Sequence, residues 1–234
     1  MKRLTQTLLI VALFGAGAAA ADIEKLTPRE STYELHMGPL TLGEAQFSLE
    51  PNGAQNCYRY QYTANPSGIA KMFVGQIHEL TDFCASDAGL QSQRYEFHRA
   101  DRANKDYVLL FDWSKKIMTG GDPAEQKLPP GTLDRLAIQQ GVRLWVIAHA
   151  GEAKPAPVEF SMADRTRVTS YKFAISGHEK VEVPAGEFET IVVDRTDDPK
   201  KTLRFYLAPG RGYTPVKVIQ DAEGQPALRM YLVR

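Results

Sequence analysis

Apolar and polar residues alternate with a period of two along most of the chain. Tyr33, Leu35 and Met37 are separated by polar residues, which is the pattern of a half-buried β-strand. Similar runs recur about every ten residues, and turn-forming Gly, Pro and Asp residues separate them. About twelve strands joined by tight turns predict a mostly β fold, either a curved antiparallel sheet or a partly closed, barrel-like meander.

One segment, residues 133–149, has the period of an amphipathic helix instead. Thr132 is a suitable N-cap, and Asp134 would lie in the first turn, where the helix dipole favours an acid. The segment 151–157, which contains two prolines, follows as a linker. We therefore expect one β-rich domain over residues 22–234 with one main helix. A two-lobed arrangement divided at 151–157 is the alternative.

The N-terminus has the three parts of a secretory signal peptide. Lys2 and Arg3 precede a short apolar run at 8–14, and small residues fill 15–21. The apolar run is shorter than the roughly 20 residues that span a bilayer as a helix. We expect cleavage before Asp22, export to the periplasm and no transmembrane anchor afterwards. An uncleaved helix lying in the membrane interface is the alternative.

The chain has two cysteines, Cys57 and Cys84. In an oxidising compartment an even number of cysteines favours a disulfide. The bridge would close a loop of about 28 residues and stabilise the fold by roughly 3 kcal/mol. Two buried thiols or a metal-binding pair are the alternatives.

Charge and motifs restrict the classes of function. The 28 basic residues balance 28 acidic ones, whereas nucleic-acid-binding proteins usually carry a clustered basic excess. The motifs of serine hydrolases are absent, and the five histidines are far apart in the sequence. We expect no nucleic-acid partner, no metal, no cofactor and no enzymatic activity. Carboxylates that meet only in space, as in glycosidases, are not visible in a sequence.

Aromatic residues concentrate in the N-terminal half of the chain. Their side chains could line an apolar cavity on the inner face of a curved sheet, or they could fill a packed core. The candidate ligand-lining residues are Tyr58, Tyr60, Tyr62, Tyr95 and Phe97.

The order of several turn and strand motifs resembles that of the exported bacterial proteins known as domain of unknown function 3108. The motifs are Gly-Pro-Leu-Thr-Leu-Gly at 38–43, Phe111-Asp112-Trp113, Leu133-Asp134-Arg135-Leu136, Pro184-Ala185-Gly186-Glu187-Phe188 and Phe205-Tyr206-Leu207-Ala208. The resemblance covers nearly the whole mature chain. It implies an envelope protein with an antiparallel β architecture and no established catalytic residues.

Three hypotheses for the function follow. The first is a non-catalytic periplasmic protein that binds an apolar ligand, such as a lipid, or an envelope component. The second is a structural or assembly partner in the envelope that uses exposed strand edges. The third is a hydrolase built from two carboxylates that lie within about 10 Å of each other in a cleft.

Overall fold

The computed structural model describes residues 26–234, so the predicted signal peptide at 1–21 lies outside the described residues. Within that range the chain forms fifteen strands, one α-helix and three 3-10 helices. The first eight strands are β1 Arg29–Met37, β2 Leu40–Pro51, β3 Cys57–Pro66, β4 Ile77–Ser86, β5 Gly89–Arg99, β6 Tyr107–Asp112, β7 Ile117–Thr119 and β8 Glu125–Lys127. The remaining elements are β9 Leu133–Asp134, α1 Ala137–His149, β10 Val158–Ala163, β11 Val168–Val183, β12 Gly186–Arg195, β13 Lys201–Ala208, β14 Thr214–Ala222 and β15 Leu228–Leu232.

All fifteen strands belong to one sheet, in the order β8-β7-β6-β5-β4-β3-β2-β1-β15-β14-β13-β12-β11-β10-β9. Neighbours are antiparallel, except for the short parallel pair β9–β10. The first and last strands pair at the centre of the sheet, with Tyr33 opposite Leu232. Strands from both sides of residues 151–157 therefore share the sheet. The predicted fold class, mostly β with one main helix, is confirmed.

The sheet curls without closing into a barrel. The backbone N–H of Asp122, in the loop before β8, donates to the carbonyl oxygen of Arg165, which precedes β11 (2.7 Å). Nearby, the Tyr107 hydroxyl donates to Asp164 Oδ1 at 3.3 Å. Residues near the two ends of the sheet are thus in contact, and the free edges are short: β8 has three residues and β9 has two.

Apolar side chains fill the inside of the curve. The larger buried cluster surrounds α1, which contributes Ala137, Ile138, Val142, Leu144, Trp145 and Val146. A second buried cluster joins β1 and β15 to the far end of β11 and the middle of β12. The largest side chains with almost no exposure include Tyr95, Phe83, Phe173, Leu49 and Leu109.

The helix begins at Ala137, four residues later than predicted. Leu133 and Asp134 instead form β9, which pairs with Met162 and Ala163 of β10. Asp134 still serves the helix N-terminus, because its Oδ1 accepts hydrogen bonds from the backbone N–H groups of Leu136 (2.9 Å) and Ala137 (2.8 Å). The carboxylate therefore caps the first turn from outside the helix.

Candidate functional site

The five aromatic residues proposed to line a cavity are part of the packed interior. Tyr60 and Tyr95 are buried, and Tyr58, Tyr62 and Phe97 are half-buried against the same cluster. The ring of Tyr58 stacks on Phe83 with centroids 5.8 Å apart. Other side chains of the same protein therefore cover much of the surface of these five aromatic residues.

A small polar cavity lies between α1 and the start of β1. Its volume is about 20 Å³, and Tyr60, Gln140 and Arg143 are among its lining residues. The carbonyl oxygen of Gly212 accepts hydrogen bonds from Arg143 Nε at 2.9 Å and from Arg29 Nη1 at 3.3 Å. Burial, together with the Arg29 charge, lowers the pKa of Arg143 to about 9. A space of this size holds about one water molecule, and it is too small for an apolar ligand.

A larger groove lies across β1, β2 and β3. It has a volume of about 310 Å³, and hydroxyl and amide side chains dominate its lining: Ser31, Thr32, Gln46, Ser48, Gln61 and Thr63, together with Glu30, Phe47 and Arg234. The groups present would form hydrogen bonds with a polar molecule, and they offer little to a hydrocarbon chain.

Within residues 26–234 three carboxylate residues are buried, Glu79, Asp82 and Asp134. Asp82 pairs with Arg59 at 2.8 Å, and the other two have donors around them in the interior. Glu79 accepts a hydrogen bond from the Tyr95 hydroxyl at 2.6 Å and lies 3.3 Å from Arg135 Nε. The Arg135 guanidinium also lies over the Phe97 ring at 5.9 Å. Burial beside Glu79 raises the pKa of Tyr95, so this phenol remains protonated and can donate.

Asp134 is the second of the two carboxylates with donors around them in the interior. Its Oδ2 accepts hydrogen bonds from Thr81 (2.6 Å) and Ser92 (2.5 Å), in addition to the two helix N–H groups on Oδ1. Burial raises the pKa of Asp134, whereas the donors oppose that rise. We call Glu79, Thr81, Ser92, Tyr95 and Asp134 the buried polar network, which the exposed Arg135 side chain adjoins. Both its acids are held by neighbouring donors, an arrangement typical of structural groups.

Exposed apolar residues mark a different place, where β2 begins and β3 ends. Among residues 26–234, five large hydrophobic side chains are exposed, and four of them are Leu40 (54%), Ile69 (63%), Met72 (78%) and Phe73 (69%). We call these four the apolar tip. The fifth, Leu110, lies on the outer face of β6.

The backbone of the loop between β3 and β4 is held in one arrangement. A 3-10 helix at Gly68–Met72 begins with a positive φ of 51° at Gly68, which suits glycine. The Ala70 carbonyl oxygen accepts hydrogen bonds from the N–H groups of Phe73 and Val74, both at 3.0 Å. Ala70 itself is buried, so it anchors the loop while its apolar neighbours face outward.

The turn between β1 and β2 adjoins this loop. The backbone N–H of Ser67 donates to the carbonyl oxygen of Leu42 at 2.8 Å. Gly43 packs so closely on Asn65 that an added Cβ would lie 2.1 Å from the Asn65 carbonyl oxygen. Leu40, at the start of β2, therefore lies at the same end of the sheet as the 3-10 helix.

Charge is nearly absent from these two segments. Residues 37–43 and 67–76 contain no acidic residue and one basic residue, Lys71, whereas 24% of the whole chain is charged. Lys71 is exposed to solvent. The apolar tip thus places bulky hydrocarbon next to one solvent-facing positive charge, that of Lys71.

Sequence reasoning missed the apolar tip. An apolar run such as Ile69-Ala70-Lys71-Met72-Phe73 is as compatible with a core element as with an exposed loop. The available signal was the Pro66-Ser67-Gly68 turn before a run too short to form a paired strand.

Other kinds of site are not evident in the part of the chain that the structure describes. It contains no group of three or more His, Cys, Asp or Glu side chains that could hold a metal ion. It also contains no helix with the length and apolar character needed to span a membrane. The sulfur atoms of Cys57 and Cys84 form a disulfide between β3 and β4.

Comparisons with known proteins give a family and a fold. A family model described as a protein of unknown function, DUF3108, matches residues 32–233. No curated protein matches. A beta-barrel-like protein of domain of unknown function DUF1849 from Brucella abortus superposes with a TM-score of 0.53 at 14% identity, over 89% of this chain and 97% of that one. A protein with a YmcC-like fold from Bacteroides fragilis gives 0.38 at 11% identity, over 88% and 93%.

Proposed function

The chain belongs to the DUF3108 family of proteins of unknown function, and from this premise we propose that it is a non-catalytic binding protein of the cell envelope. In this proposal the curled sheet is a rigid support, and the apolar tip docks onto another envelope component.

The observation that carries the proposal is the exposure of Ile69, Met72 and Phe73 on one short loop. Full burial of a side chain of this size is worth about 1.5–3 kcal/mol. Contiguous exposed apolar surface on a folded protein marks an interaction site more often than scattered single residues do. Residues 26–234 leave this apolar surface exposed, and the proposal is that another molecule covers it.

The interior favours docking over storage of an apolar ligand. Side chains occupy the inside of the curve, and the small cavity beside Tyr60 has a volume of about 20 Å³. The short free edges of β8 and β9 favour the tip over strand addition as the docking mode. The buried acids Glu79 and Asp134 are engaged by donors, which supports a binding role over carboxylate hydrolysis.

The proposal also includes export of the protein to the periplasm. The sequence pattern of residues 1–21 is that of a signal peptide. The disulfide between Cys57 and Cys84 fits an oxidising compartment such as the periplasm.

Site-specific photo-crosslinking in cells tests the proposal. A photoreactive amino acid replaces Met72 in one strain and Leu110, the exposed residue outside the tip, in a control strain. We expect covalent adducts, with lipid or with protein, from position 72 and none from position 110. Equal labelling at the two positions, or none at position 72, would contradict docking through the tip.

A further inference from the structure

We infer that the apolar tip inserts into the surface of a phospholipid bilayer that contains anionic lipid. This inference rests on the proposed docking function and identifies the component that the tip contacts.

The size of the tip favours a bilayer over a protein partner. Four side chains with these exposures present on the order of 400 Å² of apolar surface. A stable protein–protein interface uses about 800 Å² from each partner and a wider rim of polar contacts. A bilayer requires no complementary shape, and it solvates each inserted side chain separately.

The chemistry of the tip matches the layers of a membrane surface. Ile69, Met72 and Phe73 are the residue types that enter the boundary between headgroups and acyl chains. Lys71 is exposed between them, and its long stem allows the ammonium group to remain among the headgroups. Residues 37–43 and 67–76 contain no acidic residue, and the exposed Glu44 is the next acid along β2, so repulsion from anionic phosphates is limited at the tip.

The neighbouring loop supports the same orientation. Gly75 packs against Asp101, so the β5–β6 loop lies beside the tip. That loop adds Arg102 and Lys105, while its acids have partners: Asp101 is 2.8 Å from Arg99 Nε, and Asp106 Oδ2 is 3.1 Å from His98 Nδ1. With the tip on the membrane, β2 and β3 would meet the surface end-on.

Sedimentation with lipid vesicles tests the inference on the full chain purified without detergent. The probes are vesicles of phosphatidylcholine alone and vesicles with about one third phosphatidylglycerol. We expect binding to the anionic vesicles that weakens about 30-fold or more in the variant carrying I69S, M72S and F73S. Lys71→Gln, which removes one positive charge, should weaken binding to anionic vesicles about 5-fold and leave binding to phosphatidylcholine unchanged.

Leu110→Ser is the matched control, because it removes an exposed leucine outside the tip. It should leave vesicle binding unchanged. A second readout places tryptophan at position 73, where brominated lipids should quench its emission if the side chain enters the bilayer.

The result is separable from that of the photo-crosslinking. A protein adduct at position 72, without any vesicle binding, overturns the bilayer inference and leaves the docking function standing. A tip-dependent association between copies of the chain, seen by sedimentation velocity without vesicle binding, also overturns it. Vesicle binding that survives in the triple serine variant overturns it as well. The absence of every adduct at position 72 overturns both proposals.

Discussion

Two regions of the molecule depart from the usual placement of polar and apolar groups, in opposite directions. The buried polar network places two carboxylates inside the sheet, and each one has donors within hydrogen-bonding distance. The apolar tip places hydrocarbon in water, and the described chain offers nothing to cover it. The first departure is compensated within the molecule, which identifies it as structural. The second is not compensated within residues 26–234, and this is the ground on which we propose a contact with another molecule there.

Of the substitutions that test this comparison, Asp134→Ala should have the largest effect on the free energy of unfolding. The substitution leaves the Thr81 and Ser92 hydroxyls and two helix N–H groups without their acceptor. Each unsatisfied buried donor costs about 1–3 kcal/mol, and water or local shifts would relieve part of the total for these four donors. We therefore expect the free energy of unfolding to fall by about 4 kcal/mol. Urea unfolding measures the loss, and the exposed Asp87→Ala is the control. A loss equal to that of the control would show that the network is not structural.

The disulfide gives the next largest effect. Replacing both Cys57 and Cys84 by serine removes the bridge across a sequence separation of 27 residues. We expect the free energy of unfolding to fall by about 3 kcal/mol, while vesicle binding of the folded protein is retained. If the double variant loses vesicle binding at conditions where circular dichroism shows it folded, the tip depends on the bridge for its conformation.

Serine at the three tip positions should change stability little. Ile69, Met72 and Phe73 bury little surface in the folded chain, so we expect a change within about 0.5 kcal/mol. The buried Leu90→Ser is the contrast, with an expected loss of about 3 kcal/mol. Thermal or urea unfolding of the two variants measures the difference. A destabilisation of the tip variant close to that of Leu90→Ser would mean that the tip packs within the fold.

The smallest effect belongs to the loop beside the tip, where polar contacts are exposed. Hydrogen bonds to Asp106 and Glu96 raise the pKa of His98 above its ordinary value. The stabilisation from protonated His98 is therefore complete below about pH 6.5 and is lost as the pH rises through the folded-state pKa.

His98→Gln should consequently lower stability at about pH 5.5 and leave it unchanged at about pH 9. The side chain is 45% exposed, so screening by water limits the effect to a few tenths of a kcal/mol, at most about 0.5 kcal/mol. The exposed His178→Gln is the control, and unfolding curves at the two pH values provide the measurement. If the stability of both variants depends on pH in the same way, the contact between His98 and Asp106 does not stabilise the fold.

The local pattern of the sequence was sufficient to predict the strands. Apolar residues at every second position, such as Tyr33 and Leu35, follow directly from a strand with one buried face. The disulfide also followed, since two cysteines allow only one pairing. The helix start was misplaced, because Leu133 fits the helical spacing equally well. Its pairing with Met162, almost thirty residues away, is a tertiary contact that no local pattern contains.

The candidate site was less accessible to prediction. Tyr60 and Phe97 pack in the main hydrophobic cluster, but the sequence does not show whether the inner face of the sheet encloses a cavity or is filled. The tip required knowledge of which apolar residues remain uncovered after folding. This depends on the positions of all the other strands, and composition alone does not contain it.

The disulfide has a mechanical consequence for the tip. Cys57 and Cys84 lie at the far ends of β3 and β4, so residues 57–84 form a covalent ring with the 3-10 helix at its apex. A force applied at Met72, for example when an anchored molecule is dragged along a surface, acts on β3 and β4 together. It cannot separate these two strands beyond the disulfide. A protease cut within the 3-10 helix would likewise open the ring without separating the chain into two pieces.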